Sequence, residues 1–161
     1  MFLGYQNDKI KFYTEEPLNQ EFYNLDKVEE TDKEYVLDGD CYVLNDDEYK
    51  ERQAQKERER IAHLFLTGAD VERAIYKVKG MDFEDIVAYV TANPVEGLDV
   101  KALKIELKAN NFYRGKPYVD AIGQLLGFTS EQLDLFFEDG NYEHLLPVEE
   151  PTEEVESLKG D

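Results

Sequence analysis

Four groups of residues in this chain carry side chains that could do chemistry, and each points to a different activity. Asp38, Asp40, Asn45, Asp46, Asp47 and Glu48 offer the oxygen ligands that calcium prefers. A calcium loop opening at Asp38 needs an oxygen ligand at its fifth position and a glycine at its sixth, where Tyr42 and Val43 stand. The run therefore reads as a hairpin turn followed by a helix cap, and no metal site is expected. His63 and His144 are the only histidines, too few for a His-based metal cluster. Neither has a nucleophile at motif spacing. The 37 acidic residues supply so many carboxylate pairs that none singles out an acid–base site. With no Gly-rich phosphate loop either, neither a catalytic residue nor a cofactor is expected.

The third group is YVDAIGQLLGFTSEQLDLFF (118–137), which has the spacing of a helix-turn-helix. A recognition helix presents Arg, Lys, Asn or Gln to phosphates and base edges. Here the second helix carries Glu131, Asp134, Glu138 and Asp139 and no basic residue, so a helical corner inside a bundle is the better account. The fourth group is the basic run Lys101, Lys104, Lys108, Arg114 and Lys116. On a helix 101, 104 and 108 share one face, with the aromatic loop residues Phe112 and Tyr113 beside it. These seven residues form a candidate docking surface for an acidic partner or for the chain's own acidic end; an ordinary solvated helix face is the alternative.

The elements that must position these groups are legible from period and punctuation. FLGY and KIKFY alternate as strands around Asn7–Asp8, FYNLDKV (22–28) is a weaker strand candidate, and EYVL and DCYVL flank a turn at Asp38–Gly39. Residues 1–45 are thus expected to form an antiparallel β meander whose own core is thin. Asp46 to Leu66 has no Gly or Pro, and between Tyr49 and Ile61 its only hydrophobic residue is Ala54. It is expected to form a charged, solvated connecting helix of roughly 30 Å. Residues 67–146 turn to helical periodicity, with Val71, Ala74, Ile75 and Val78, then Phe83, Ile86, Val87 and Val90, at core spacing. Gly80 and Gly127 stop helices, and Asp82, Asp99 and Thr129 can cap them. IYKVKGMDFEDIVAYV (75–90) and IGQLLGFTSEQLDLFF (122–137) align without gaps, either as a repeat or as two corners meeting the same demands. The fold class is α+β: β meander, connecting helix, bundle of short helices, and a disordered acidic tail at 147–161.

The chain has 161 residues and a formal charge of −19, distributed as −7 over 1–45, −1 over 46–66, −1 over 67–127 and −10 over 128–161. Such acidity disfavours direct nucleic-acid binding and anionic membranes. It serves solubility, or alternatively an inhibitor that imitates nucleic acid and blocks a host defence or DNA-binding protein. A single cysteine, Cys41, excludes an intrachain disulfide. No apolar run approaches the ~20 residues of a membrane span, and the start lacks the features of a signal peptide. The chain is expected to be intracellular when made. Ile61, Leu64 and Phe65 could seed a homo-oligomer.

MFLGYQNDKI, DGDCYVLNDDEYKERQAQKERERIAHL and LTGADVERAIYKVKGMDFEDI together resemble small phage and prophage proteins from the tail or baseplate modules of phages of low-GC Gram-positive bacteria. The likeness covers the arrangement of nearly the whole chain and includes no catalytic signature. It implies a non-enzymatic structural or assembly role akin to tail-fibre assembly factors. The implied partners are phage structural proteins, and the implied location is the host cytoplasm or the virion tail.

Overall fold

The computed structural model describes residues 1–147. Contacts divide the chain into two compact units, Met1–Arg58 and the residues from Glu59 onward. The α+β class stands, with a five-stranded antiparallel sheet followed by six helices. Of the acidic tail expected at 147–161, only Pro147 lies within the described residues.

The first unit holds β1 (Phe2–Gln6), β2 (Lys9–Thr14), β3 (Lys27–Glu30), β4 (Tyr35–Asp38) and β5 (Cys41–Leu44). Asn7 and Asp8 join the first two strands with φ of 53° and 59°, the left-handed pair that a tight hairpin with the native strand twist requires. The strand order is β3-β1-β2-β5-β4. Rather than following its predecessor, β3 returns to the far side of β1, carried there by the loop 15–26. The expected strand at 22–28 is confined to its end, because Phe22 and Tyr23 lie in a turn and pairing begins at Lys27. The β4–β5 hairpin also shifts by one residue: Asp38 pairs with Cys41, so Gly39 and Asp40 form the turn, with Gly39 at φ 65°. Leu3 and Leu25 are the buried hydrophobic residues here, a thin core as the size of the segment implied. Gly4 allows that core to close. A Cβ at this position would lie 2.9 Å from Leu25 Cδ1 and 3.0 Å from Leu18 Cδ1.

Helix α1 (Asp47–Ala62) has no buried residue. Asp46 caps it by accepting from the Tyr49 N–H at 2.8 Å, and its outer charges pair along it, Arg52 with Glu48 and Arg58 with Glu51. It ends four residues earlier than Leu66. Phe65–Thr67 instead forms strand β6, which pairs with β7 (Asn111–Tyr113), a segment expected to be loop. The long-range pairing outweighs the helical propensity that runs up to Ala62.

The second unit continues with α2 (Gly68–Lys79), α3 (Phe83–Ala92), α4 (Val100–Glu106), α5 (Pro117–Leu125), α6 (Ser130–Asp139) and a 3-10 turn (Tyr142–Leu145). Its core gathers the apolar faces of all of these, with Ile86, Val90, Phe112 and Phe136 essentially inaccessible. The two aligned segments fold alike. Gly80 and Gly127 sit at φ 69° and 78°, Met81 and Phe128 plug the core, and Asp82 and Thr129 each form a reciprocal capping box.

Candidate interaction surface

Helices α3 and α4 meet beside an open groove of about 400 Å³ lined by Phe83, Glu84, Val87, Lys104, Leu107 and Lys108. Local chemistry builds both walls. The Asp82–Asp85 capping box starts α3, and Glu72 of α2 accepts from the Phe83 N–H at 3.0 Å, which ties that helix start to the core. Asp99 caps α4, accepting from the N–H groups of Lys101 at 2.8 Å and Ala102 at 3.2 Å. Phe83 and Val87, one turn apart, form the floor with Leu107. Phe83 stacks on Phe112 at 5.5 Å, and Phe112 meets the edge of Tyr118 at the same separation. That aromatic relay fixes the floor from below. Burial, followed by the charge of Glu106, pushes the Tyr118 hydroxyl above the usual phenol range. Lys104 and Lys108 stand on one rim and Glu84 on the other. Among the described residues, no ion pair engages Lys101, Lys104, Lys108 or Lys116.

The seven residues of the basic run thus divide. Lys101, Lys104, Lys108 and Lys116 are exposed, and two of them border the groove. Phe112 and Arg114 are not surface residues, which corrects their assignment to a docking face. The alternation of β7 points Phe112 and the following Arg114 inward, and Tyr113 outward. Arg114 is 6% exposed and fully occupied: Nε donates to Asp134 Oδ1 at 2.6 Å, Nη1 to Asp120 Oδ1 at 2.8 Å, and Nη2 to Ser130 Oγ at 2.8 Å. It clamps α5 and α6 to β7. Tyr113 lies opposite Phe65 in the β6–β7 register and packs on its ring at 5.6 Å. Of the proposed self-association residues, Leu64 packs on the core and Ile61 is half-buried. Phe65 alone presents a mostly open side chain.

The other chemical groups are also accounted for. The Asp40 carboxylate lies 2.7 Å from Lys11 Nζ, and this cation holds it below the usual carboxylate range. Asp38 accepts from Gln53, and Asn45 donates to Glu34. No group of three His, Cys, Asp or Glu side chains able to hold a metal occurs among the described residues. His63 Nδ1 lies 2.7 Å from the Glu59 carbonyl, within its own helix turn. His144 Nε2 is 2.9 Å from Asp139 Oδ2, and this hydrogen bond, with one from the Asn141 N–H, lowers the pKa of the Asp139 carboxyl. On α6, Asp134 is matched by Arg114 and Glu138 by Arg60. Three of the four α6 carboxylates of the helix-turn-helix-like corner, Asp134, Glu138 and Asp139, are therefore engaged within the fold, while Glu131 is exposed.

Sequence reasoning assigned Phe83 and Val87 to the core, where their helical period puts them. In the fold they pack on the core only in part and also line the open groove beside α4. No helix among the described residues is long and apolar enough to cross a membrane. Comparison of the chain with protein-family models, curated proteins and solved structures finds no match.

Proposed function

We propose that this chain works by binding protein, as a non-enzymatic structural or assembly factor of a phage tail or baseplate module. The observation that supports binding is the α3–α4 groove: an apolar floor of Phe83, Val87 and Leu107 beside two lysines that no ion pair engages among the described residues. A groove of this kind suits a segment that inserts an apolar side chain and sets carboxylates against Lys104 and Lys108. The assignment to a tail module rests on the resemblance of the strand start, the charged helix and the LTGADV segment to phage tail-module proteins. The nucleic-acid-imitating alternative is weakened by the internal pairing of Asp134, Glu138 and Asp139, since imitation needs carboxylates directed at a partner.

Complementation of a phage deleted for this gene tests the reading. The deletion is expected to abolish infectious tails, wild-type protein to restore them, and the Lys104→Glu/Lys108→Glu protein to fold normally yet fail. Normal infectious tails from the deletion phage would refute the assignment to a tail module. Full complementation by the double variant would remove the groove from the function.

A further inference from the structure

We infer that two copies of this chain associate through unlike surfaces, the Phe22 loop of one copy entering the α3–α4 groove of the other. The inference rests on the reading of that groove as a docking site, and it names the occupant.

The loop 15–26 is built to hold an aromatic side chain out in water. Phe22 is 77% exposed, and its ring stands edge-on to Tyr23 at 4.8 Å, which in turn packs on Phe12 of β2 at 5.1 Å. The backbone beneath is held at several points. Asn19 Oδ1 accepts from the Phe22 N–H at 2.9 Å, and the Gln20 carbonyl accepts from the Leu25 N–H at 2.9 Å. The Asp26 N–H donates to the Tyr5 carbonyl at 2.8 Å, while Asp26 Oδ2 accepts from the Asn7 N–H at 2.6 Å. Leu25 is buried and anchors the loop on the sheet. A side chain presented on an ordered turn loses little conformational freedom on binding, and bare aromatics so held are characteristic binding anchors.

Charge selects the receptor. Residues 15–26 contain Glu15, Glu16, Glu21 and Asp26, all exposed, and no lysine or arginine. The groove offers the complement: room for an aromatic ring, an apolar floor, and, among the described residues, Lys104 and Lys108 against the one acid Glu84. An aromatic knob on a loop that carries four exposed acids and a slot bordered by two lysines are opposite in sign and matched in shape class. Because the two surfaces differ, the contact is heterologous, and each copy brings one knob and one slot. A contact this small belongs to the weak, transient class.

Sedimentation equilibrium of the full chain tests the inference. Wild-type protein is expected to rise in mass above the 18.7 kDa monomer with a Kd on the order of tens of micromolar at low salt, weakening as salt is added. Phe22→Ala, at a position outside the core, and Lys104→Glu/Lys108→Glu should each weaken association at least about tenfold. An equimolar mixture of those two variants should regain a one-to-one dimer, since the intact groove of the Phe22→Ala copy receives the intact loop of the groove-variant copy. Wild-type protein that stays monomeric at about 500 μM, association indifferent to Phe22→Ala, or a mixture that stays monomeric would each overturn the inference. In any of those cases, a groove variant that still failed to complement the deletion phage would leave the groove serving a different protein.

Discussion

Removing the two carboxylates that face Arg114 should destabilise the second unit more than removing the arginine. The asymmetry follows from exposure. Arg114 is 6% exposed, whereas the side chains of Asp120 and Asp134 are 48% and 35% exposed. In Asp120→Ala/Asp134→Ala the guanidinium stays charged, stays inside, and keeps only the Ser130 hydroxyl and carbonyl as acceptors. Stranding a buried charge in this way costs about 3–5 kcal/mol. In Arg114→Met the carboxylates can turn to water and the methionine fills most of the arginine stem. What remains is the loss of charge-assisted hydrogen bonds to partners that water can replace, about 1–2 kcal/mol. The expected difference of about 2–3 kcal/mol corresponds to a Tm gap of roughly 10 °C or more in a unit of this size. Urea unfolding followed by circular dichroism at 222 nm, compared at constant m, measures it directly. Added salt should not close the gap, because the cation is shielded from solvent. If Arg114→Met unfolds at lower urea than the double variant, the clamp is not electrostatic and the reasoning fails.

Three further outcomes follow from single contacts. Gly115→Ala places a Cβ 2.8 Å from Ala62 Cβ and 3.0 Å from the Ala62 carbonyl oxygen, to which the Gly115 N–H donates. The backbone at the end of α1 must shift, at a cost of about 1–3 kcal/mol that thermal unfolding would register. Asp82→Ala and Thr129→Ala each remove the side-chain half of a capping box and should each cost about 1 kcal/mol; equilibrium unfolding showing no loss for both would deny the equivalence of the two corners. The Tyr5 hydroxyl, donating to Glu29 Oε2 at 2.7 Å, is pushed up to about 12, first by that hydrogen bond and then by burial. The neutral phenol is the form favoured by folding. Its contribution is therefore complete below pH 10 and is lost as pH rises towards 12. Carbon-13 NMR of the tyrosine rings would show it, and a midpoint near 10 for Tyr5 would exclude the bond in solution.

Much of the fold could be read from neighbouring residues because the forces that set it are local. Asn7–Asp8 tolerates the left-handed backbone of a tight turn, Gly80 and Gly127 end helices for the same reason, and Asp82, Asp99 and Thr129 supply oxygens to the N–H groups just beyond them. Each of these is decided within about five residues. The charged stretch after Asp46 could form only a solvated helix, since it has no apolar stripe to bury. The registers that differ by one residue, as at Gly39–Asp40, differ because strand pairing and turn are settled together.

The candidate docking surface was only half legible, and tertiary structure decided the rest. A run of Lys101, Lys104, Lys108, Arg114 and Lys116 has the same appearance in sequence whether its cations face water or carboxylates. Arg114 turned inward because β7 pairs with β6, forty-eight residues away, and because α5 and α6 deliver Asp120 and Asp134 to it. Phe83 and Val87 have the period of core residues, yet beside α4 they line an open groove. Composition and spacing thus determined most of the strands and helices and the turn and cap residues that bound them, whereas the β6–β7 pair and the early stop of α1 came from pairing between distant segments. Which side chains meet water depended on pairings between distant segments, because burial is a property of the neighbours that folding brings and not of the residue itself.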